Sequence, residues 1–129
     1  MLAVDTNIVV RLLMKDDLNQ YGRVLAVFQS TRIWIPVTVV LESEWVMRRA
    51  FGLGPAPIAA AMRSLIGIDG VRIEQPAAVV QALDWLEQGM DFADALHLAL
   101  ASECDGFATF DRDFIKAAAC IGARHVAEP

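Results

Sequence analysis

The sequence predicts an α/β fold: a three-layer sandwich with a central, mostly parallel sheet flanked by helices. Short apolar runs without helical period alternate with longer stretches whose apolar residues recur at helical spacing. Turn and capping residues separate the two kinds of segment, and no repeat or long linker interrupts them. With 129 residues, 56% of them hydrophobic and 21% charged, residues 1–129 read as a single domain with ample material for one core.

The first strand is the apolar run Met1 to Val4, which ends at Asp5-Thr6-Asn7, residues that favour a helix start. Apolar positions 8, 9, 12 and 13 carry a first helix. Asp16, Asp17 and Asn19 break and restart the pattern, and Val24, Leu25, Val27 and Phe28 carry a second. Ile33 to Val37 reads as a strand whose Pro36 suggests an edge or terminal position, followed by a helix from about Thr38 to Ala50. Gly52, Gly54, Pro55 and Pro57 mark a loop, and a helix resumes over Ile58 to Ile66. Val71 to Glu74 is a strand. Pro76 opens a helix that carries Val79, Val80, Leu83 and Leu86 and stops at Gly89. Asp91 caps a helix from Phe92 to about Cys104. A strand over Gly106 to Phe110, a short helix capped by Asp111, and a last strand at Arg124-His125-Val126 complete the chain.

Composition excludes several classes. A formal charge of −5 opposes a phosphate binder that relies on a broad positive surface, yet it allows acids gathered around a cation. Asp5 and Arg11 interrupt the N-terminal apolar run before a signal-peptide core forms, so the chain reads as cytoplasmic, with no membrane segment. Cys104 and Cys120 lack zinc-site or disulfide-framework spacing and read as buried thiols. A phosphatase with an aspartyl nucleophile would show Asp-x-Asp, but position 7 is Asn; Gly52-Leu53-Gly54 is no dinucleotide fingerprint. A phosphorylated receiver domain would place a Lys at a late strand end, and none is there.

The informative residues are acids. In an open α/β sheet the working crevice lies beyond the carboxyl ends of the strands, where Asp5 and Asp111 directly follow predicted strands. Asp94 occupies the third position of its helix, and Glu42 lies early in another. Each is ordinary alone, since capping and the helix dipole account for it. Their joint delivery to one end of the sheet is not, because the carboxylates would repel one another without a compensating cation. Glu42 and Glu44 compete for one place, as two residues of helix rotate a side chain by about 200°. Glu44 has Arg48 four residues on and reads as a solvated ion pair, whereas Glu42 has apolar Val39, Trp45 and Val46 for neighbours and reads as the functional acid.

Four segments, Leu2-Ala3-Val4-Asp5-Thr6-Asn7, Val37-Thr38-Val39-Val40-Leu41-Glu42, Asp91-Phe92-Ala93-Asp94-Ala95-Leu96 and Thr109-Phe110-Asp111-Arg112-Asp113-Phe114, together resemble the PIN-domain nucleases, most closely the VapC toxins of toxin–antitoxin pairs. The resemblance spans nearly the whole chain, in order. It implies a Mg²⁺- or Mn²⁺-dependent endoribonuclease with Asp5, Glu42, Asp94 and Asp111 as catalytic, metal-holding acids and Thr6, Asn7 and Thr109 as supporting polar groups. Asp113 stays outside the core set. In that scheme Asp5 and Asp94 hold the principal ion, and Glu42 and Asp111 complete the site. Arg11, Arg48, Arg49, Arg112 or Lys116 are available to orient an RNA backbone. The resemblance further implies a small cognate antitoxin that reaches the acids with a basic side chain, and a homodimer built through helical surfaces.

Two other readings stay open on the sequence. Metal-free cleavage would fall to His97 and His125, of which His97 reads as buried or supporting and His125 as a surface residue. A catalytically inactive PIN-like binding module would act through a protein partner. The aromatic residues, read mainly as core, do not separate it from the nuclease.

Overall fold

The computed structural model describes residues 1–123 and 125–129. Its α/β character agrees with the expectation: strands and helices alternate, and every strand pairing among the described residues is parallel. By its internal contacts the chain forms two compact units, Met1–Pro76 and Ala77–Pro129.

The first unit is built on strands β1 (Leu2–Ala3), β2 (Ile33–Ile35) and β3 (Val71–Ile73), in the order β1-β2-β3. Its helices are α1 (Thr6–Met14), α2 (Leu18–Ser30), α3 (Val37–Ala50) and α4 (Pro55–Ile66). Ile33 and Ile35 are fully buried, and α1 packs on both α2 and α3 while α4 lies against β3. Val9, Val10, Val40, Met47, Ile58, Met62 and Leu65 are almost entirely removed from water, each contributing about 1.5–3 kcal/mol of transfer free energy.

Of the two positions Pro36 suggested, edge or terminal, the structure shows the terminal one, since β2 is the middle strand of its sheet. It stops at Ile35, and Pro36 lies beyond the ladder as the N-cap of α3, where its missing N–H costs nothing. Pro36 offers no side-chain cap. The carboxylate of Glu74, just past β3, accepts from the Val37 N–H at 2.9 Å and ties the start of α3 to the end of that strand.

The second unit holds α5 from its second residue onward (α5 is Pro76–Glu87), α6 (Phe92–Leu100), β4 (Phe107–Ala108), α7 (Arg112–Cys120) and β5 (Val126–Ala127). β4 pairs with β5, α7 lies against β5, and the rings of Phe107 and Phe114 meet at 5.1 Å between centroids. Val79, Leu83, Phe92, Ala95 and Leu98 are buried. Helix α6 ends at Leu100 rather than Cys104, closing in turns that lead to Gly106. The expected last strand began at Arg124, which lies outside the described residues; the observed one starts at Val126. Cys104 and Cys120 are exposed, not buried, because both fall at or beyond the ends of their helices. No helix among the described residues is long and apolar enough to cross a membrane.

Candidate active site

Asp5 follows β1 and caps α1, its Oδ1 accepting the Ile8 N–H at 3.2 Å. Asp111 caps α7 in the same way, with Oδ1 taking the N–H groups of Asp113 (2.9 Å) and Phe114 (3.2 Å). Both acids are exposed, and in each the capping falls to a single oxygen. The helix start therefore fixes the carboxylate while its second oxygen stays open to another ligand. Thr109 supports Asp111 through its hydroxyl, which accepts the Asp111 N–H at 3.0 Å.

In the first unit, Thr6 is buried beside Asp5 and its hydroxyl donates to Oε1 of Glu42 in a short hydrogen bond. Helices α1 and α3 are thereby linked by a polar contact at the site, and Glu42 belongs to the neighbourhood of the β1 end. Asn7, the other polar residue of that segment, is exposed.

In the second unit, Asp91 caps α6 by accepting the Asp94 N–H at 3.1 Å, which leaves the Asp94 carboxylate free of capping. Burial holds the Asp94 carboxyl above its ordinary value of 3.8, the negative charges of Asp91 and Asp111 push it further up, and His97 opposes them. The Asp94 carboxyl thus feels the charge of Asp111. Such repulsion is what a bound cation relieves.

The sequence misplaced two side chains on α3 and one on α6. Glu44, expected to be solvated, is 2% exposed, whereas Glu42 is exposed. Val40, Ser43, Glu44 and Met47 form the covered face of α3, and Glu42 points away from it. The expected Arg48 pairing does occur, at 3.0 Å, but it serves a buried carboxylate. Trp45, expected in the core, is 53% exposed on the Glu42 side of the helix. Of the two readings of His97, buried or supporting, the buried one is corrected: the residue is exposed, since the covered positions of α6 are Phe92, Ala95, Leu96, Leu98 and Ala99. Sequence reasoning also missed Glu74, whose signal was a carboxylate closing an apolar strand.

Of the candidate cations, Arg11 is engaged with Asp16 and Gln20, while Arg112 lies 3.7 Å from Glu128. Within either unit, the described residues bring no three Asp, Glu, His or Cys side chains close enough to hold a metal ion. Asp5 and Glu42 lie in the first unit and Asp94 and Asp111 in the second, and all their donors are hard oxygens.

A family model described as the PIN domain matches residues 2–119. The chain belongs to the PIN domain family. Among solved structures, this PIN domain is similar to Mycobacterium tuberculosis VapC20, described as a Sarcin-Ricin loop cleaving toxin, at 23% identity over 91% of this chain and 95% of that one, with a TM-score of 0.46. No curated protein matches it.

Proposed function

We propose that this PIN domain, residues 1–129 acting as one nuclease domain, is a divalent-metal-dependent ribonuclease and the toxin of a toxin–antitoxin pair. Asp5, Glu42, Asp94 and Asp111 form its acid set, with Mg²⁺ or Mn²⁺ as cofactor. The observation that carries this reading is the paired arrangement of the acids: Thr6 joins the Asp5 segment to Glu42, and Asp94, partly buried, feels the negative charge of Asp111.

The donor chemistry fits the ion. Mg²⁺ takes oxygen ligands, is held by one or two carboxylates, and completes its shell with water and substrate phosphate. When bound it supplies Lewis-acid polarisation of the phosphoryl group and a more acidic water for in-line displacement. The chain's own part is positional. Caps fix Asp5 and Asp111, Thr6 holds one oxygen of Glu42, and Asp91 takes the capping duty that would otherwise occupy Asp94. A cation between acidic protein and anionic RNA also reconciles the −5 formal charge with a nucleic-acid substrate.

Total cellular RNA incubated with Mg²⁺, with Mn²⁺ and with excess chelator, beside the Asp94→Asn variant, tests the proposal. Cleavage that needs metal and disappears in the variant is expected. Full activity in chelator, or full activity of the variant, overturns it. The same reading gives the protein a cytoplasmic location, a cognate antitoxin that offers a basic side chain to the acids, and a homodimer. A strictly monomeric species in light scattering would remove the dimer and leave the chemistry standing.

A further inference from the structure

Helix α3 begins without a side-chain cap of its own, because its N-cap is Pro36. The Pro36 carbonyl accepts the N–H groups of Val39 and Val40, at 3.0 and 3.2 Å. The Val37 N–H, at the first position of the helix, is one of the donors that the helix cannot satisfy from within. It goes to Oε1 of Glu74, a half-buried residue just past β3.

Glu74 holds this junction at two points. Its backbone N–H donates to the Ile35 carbonyl at 3.0 Å, one residue past the Ile35–Ile73 pairing, while its carboxylate accepts from Val37 at 2.9 Å. One residue thus grips the chain on both sides of Pro36, where strand becomes helix. All of these residues belong to the first unit.

The direction of α3 matters because it carries Glu42. Burial of Val40, Ser43, Glu44 and Met47 decides which face of the helix turns inward, but apolar burial is non-directional and sets the angle of departure only loosely. Hydrogen bonds are directional. Thr6, past the end of β1, holds Glu42, and Glu74, past the end of β3, holds Val37; since β1 and β3 flank β2, α3 is tied to the ends of both neighbouring strands. Glu42 lies five residues beyond Val37, about 7.5 Å along the axis, so a swing of about 10° about the helix start displaces it by about 1.3 Å. A misplacement of about 1 Å is enough to cost a reacting site up to about a hundredfold.

We propose that Glu74 is a positioning residue: it fixes the departure of α3 from β2 so that the Glu42 carboxylate meets Thr6, and it acts on RNA cleavage through Glu42. The inference rests on the ribonuclease reading and adds to it a residue outside the acid set.

Glu74→Ala, Glu74→Gln and Glu74→Asp are compared with the parent well below all their melting temperatures, by steady-state RNA cleavage in Mg²⁺ and by amide NMR of the metal-free proteins. Glu74→Ala should lower kcat about tenfold and leave KM within about twofold, because Glu42 is displaced while the rest of the RNA contacts stay. Glu74→Gln keeps an acceptor oxygen at the same reach and should recover most of the loss. Glu74→Asp keeps the charge but is one methylene short, and should not. The opposite order would make charge at the helix N-terminus the cause and overturn the proposal. In NMR, Glu74→Ala should speed exchange of the Val37 amide at least about tenfold and shift the amides of Glu42 and Thr6, with Glu74→Gln close to the parent in both. Shifts confined to Val37 and its sequence neighbours, or a Glu74→Ala variant with the parent's kcat, overturn the proposal. A parent that cleaves no RNA with metal defeats the ribonuclease reading alone, and the Thr6 and Glu42 amides then decide whether Glu74 places Glu42.

Discussion

Glu44 and Arg48 offer the sharpest test of which face of α3 is turned to solvent. The Glu44 side chain is 3% exposed and that of Arg48 44%, with Nε to Oε2 at 3.0 Å. At an effective dielectric of about 20, that separation corresponds to an attraction of about 5.5 kcal/mol. Removing a carboxylate from water costs several kcal/mol, so the pair as a whole nets close to zero. The two single deletions are therefore unequal. Arg48→Met keeps the apolar stem but leaves the Glu44 charge buried without its Arg48 partner, at a cost of about 3 kcal/mol, the low end for a broken buried pair because water can enter where the half-exposed guanidinium was. Glu44→Leu removes the buried charge, and the half-exposed Arg48 keeps its access to water; the change should stay within about 1 kcal/mol of the parent.

Urea denaturation of Arg48→Met, Glu44→Leu and the double variant measures these terms. The double variant should recover most of the Arg48→Met loss, and thermal melts should show that loss as a fall of about 10 °C, scaled from domains of similar length. If Arg48→Met costs no more than Glu44→Leu, the charge is not buried and the reasoning fails. Activity supplies the second half of the test. Glu44→Leu should retain RNA cleavage, while Glu42→Gln should lose it; the reverse result would exchange the roles of the two glutamates.

Asp5→Asn should melt within about 1 °C of the parent yet lose at least about a hundredfold in cleavage, because Asn caps a helix about as well as Asp. Asp5→Ala should lose about 1 kcal/mol of stability in addition, which calorimetry resolves. For Asp94 the folded carboxyl is raised above its ordinary value of 3.8, so in the interval above that value the native state binds more protons and stability falls as pH rises through it. In chelator, Asp94→Asn should therefore melt higher than the parent at neutral pH, with the gap closing as pH falls toward the ordinary carboxylate range; a gap independent of pH would count against burial as the cause. Added Mg²⁺ should raise the parent's melting temperature more than the variant's, by mass action. In the second unit, a Cβ at Gly106 would lie 2.9 Å from the backbone oxygen of His125, which accepts the Phe107 N–H. Gly106→Ala should cost about 1–3 kcal/mol and speed amide exchange at Phe107; unchanged exchange there would refute the close approach.

The elements were legible because strand ends and helix starts are written in short-range chemistry. Leu-Ala-Val followed by Asp-Thr-Asn, and Phe-Ala-Thr-Phe followed by Asp, announce a strand that turns into a capped helix without reference to the rest of the chain. The open points and the errors arose where a long-range contact decided. Pro36 left an edge and a terminal position open; the fold takes the terminal one, with β2 in mid-sheet and the Glu74 carboxylate completing the helix start from 37 residues away. Glu42 and Glu44 were correctly opposed by helical rotation, but which faced inward depended on α3 burying Val40, Ser43 and Met47, and the apolar character of Val39, Trp45 and Val46 pointed the other way. An ion pair at i,i+4 is visible in sequence; whether water reaches it is not.

A carboxylate at a helix cap and a carboxylate at a site of chemistry look like competing explanations of one residue, and the geometry here makes them compatible. Capping at Asp5 and Asp111 uses one oxygen of each side chain, and it does so at the carboxyl end of a strand, where an open α/β sheet presents its ligands. The cap then immobilises the residue, a service any ligand would need, since an unheld side chain loses rotamer entropy when it binds. Asp94 shows the alternative arrangement: its neighbour Asp91 takes the N–H at the helix start, and the carboxylate itself is left to feel burial and the charge of Asp111. One device holds a proposed site acid through its own cap, the other frees it by giving the cap to the residue three places before. In both, the local rule that explains the helix also explains why an acid stands at that position with an oxygen to spare.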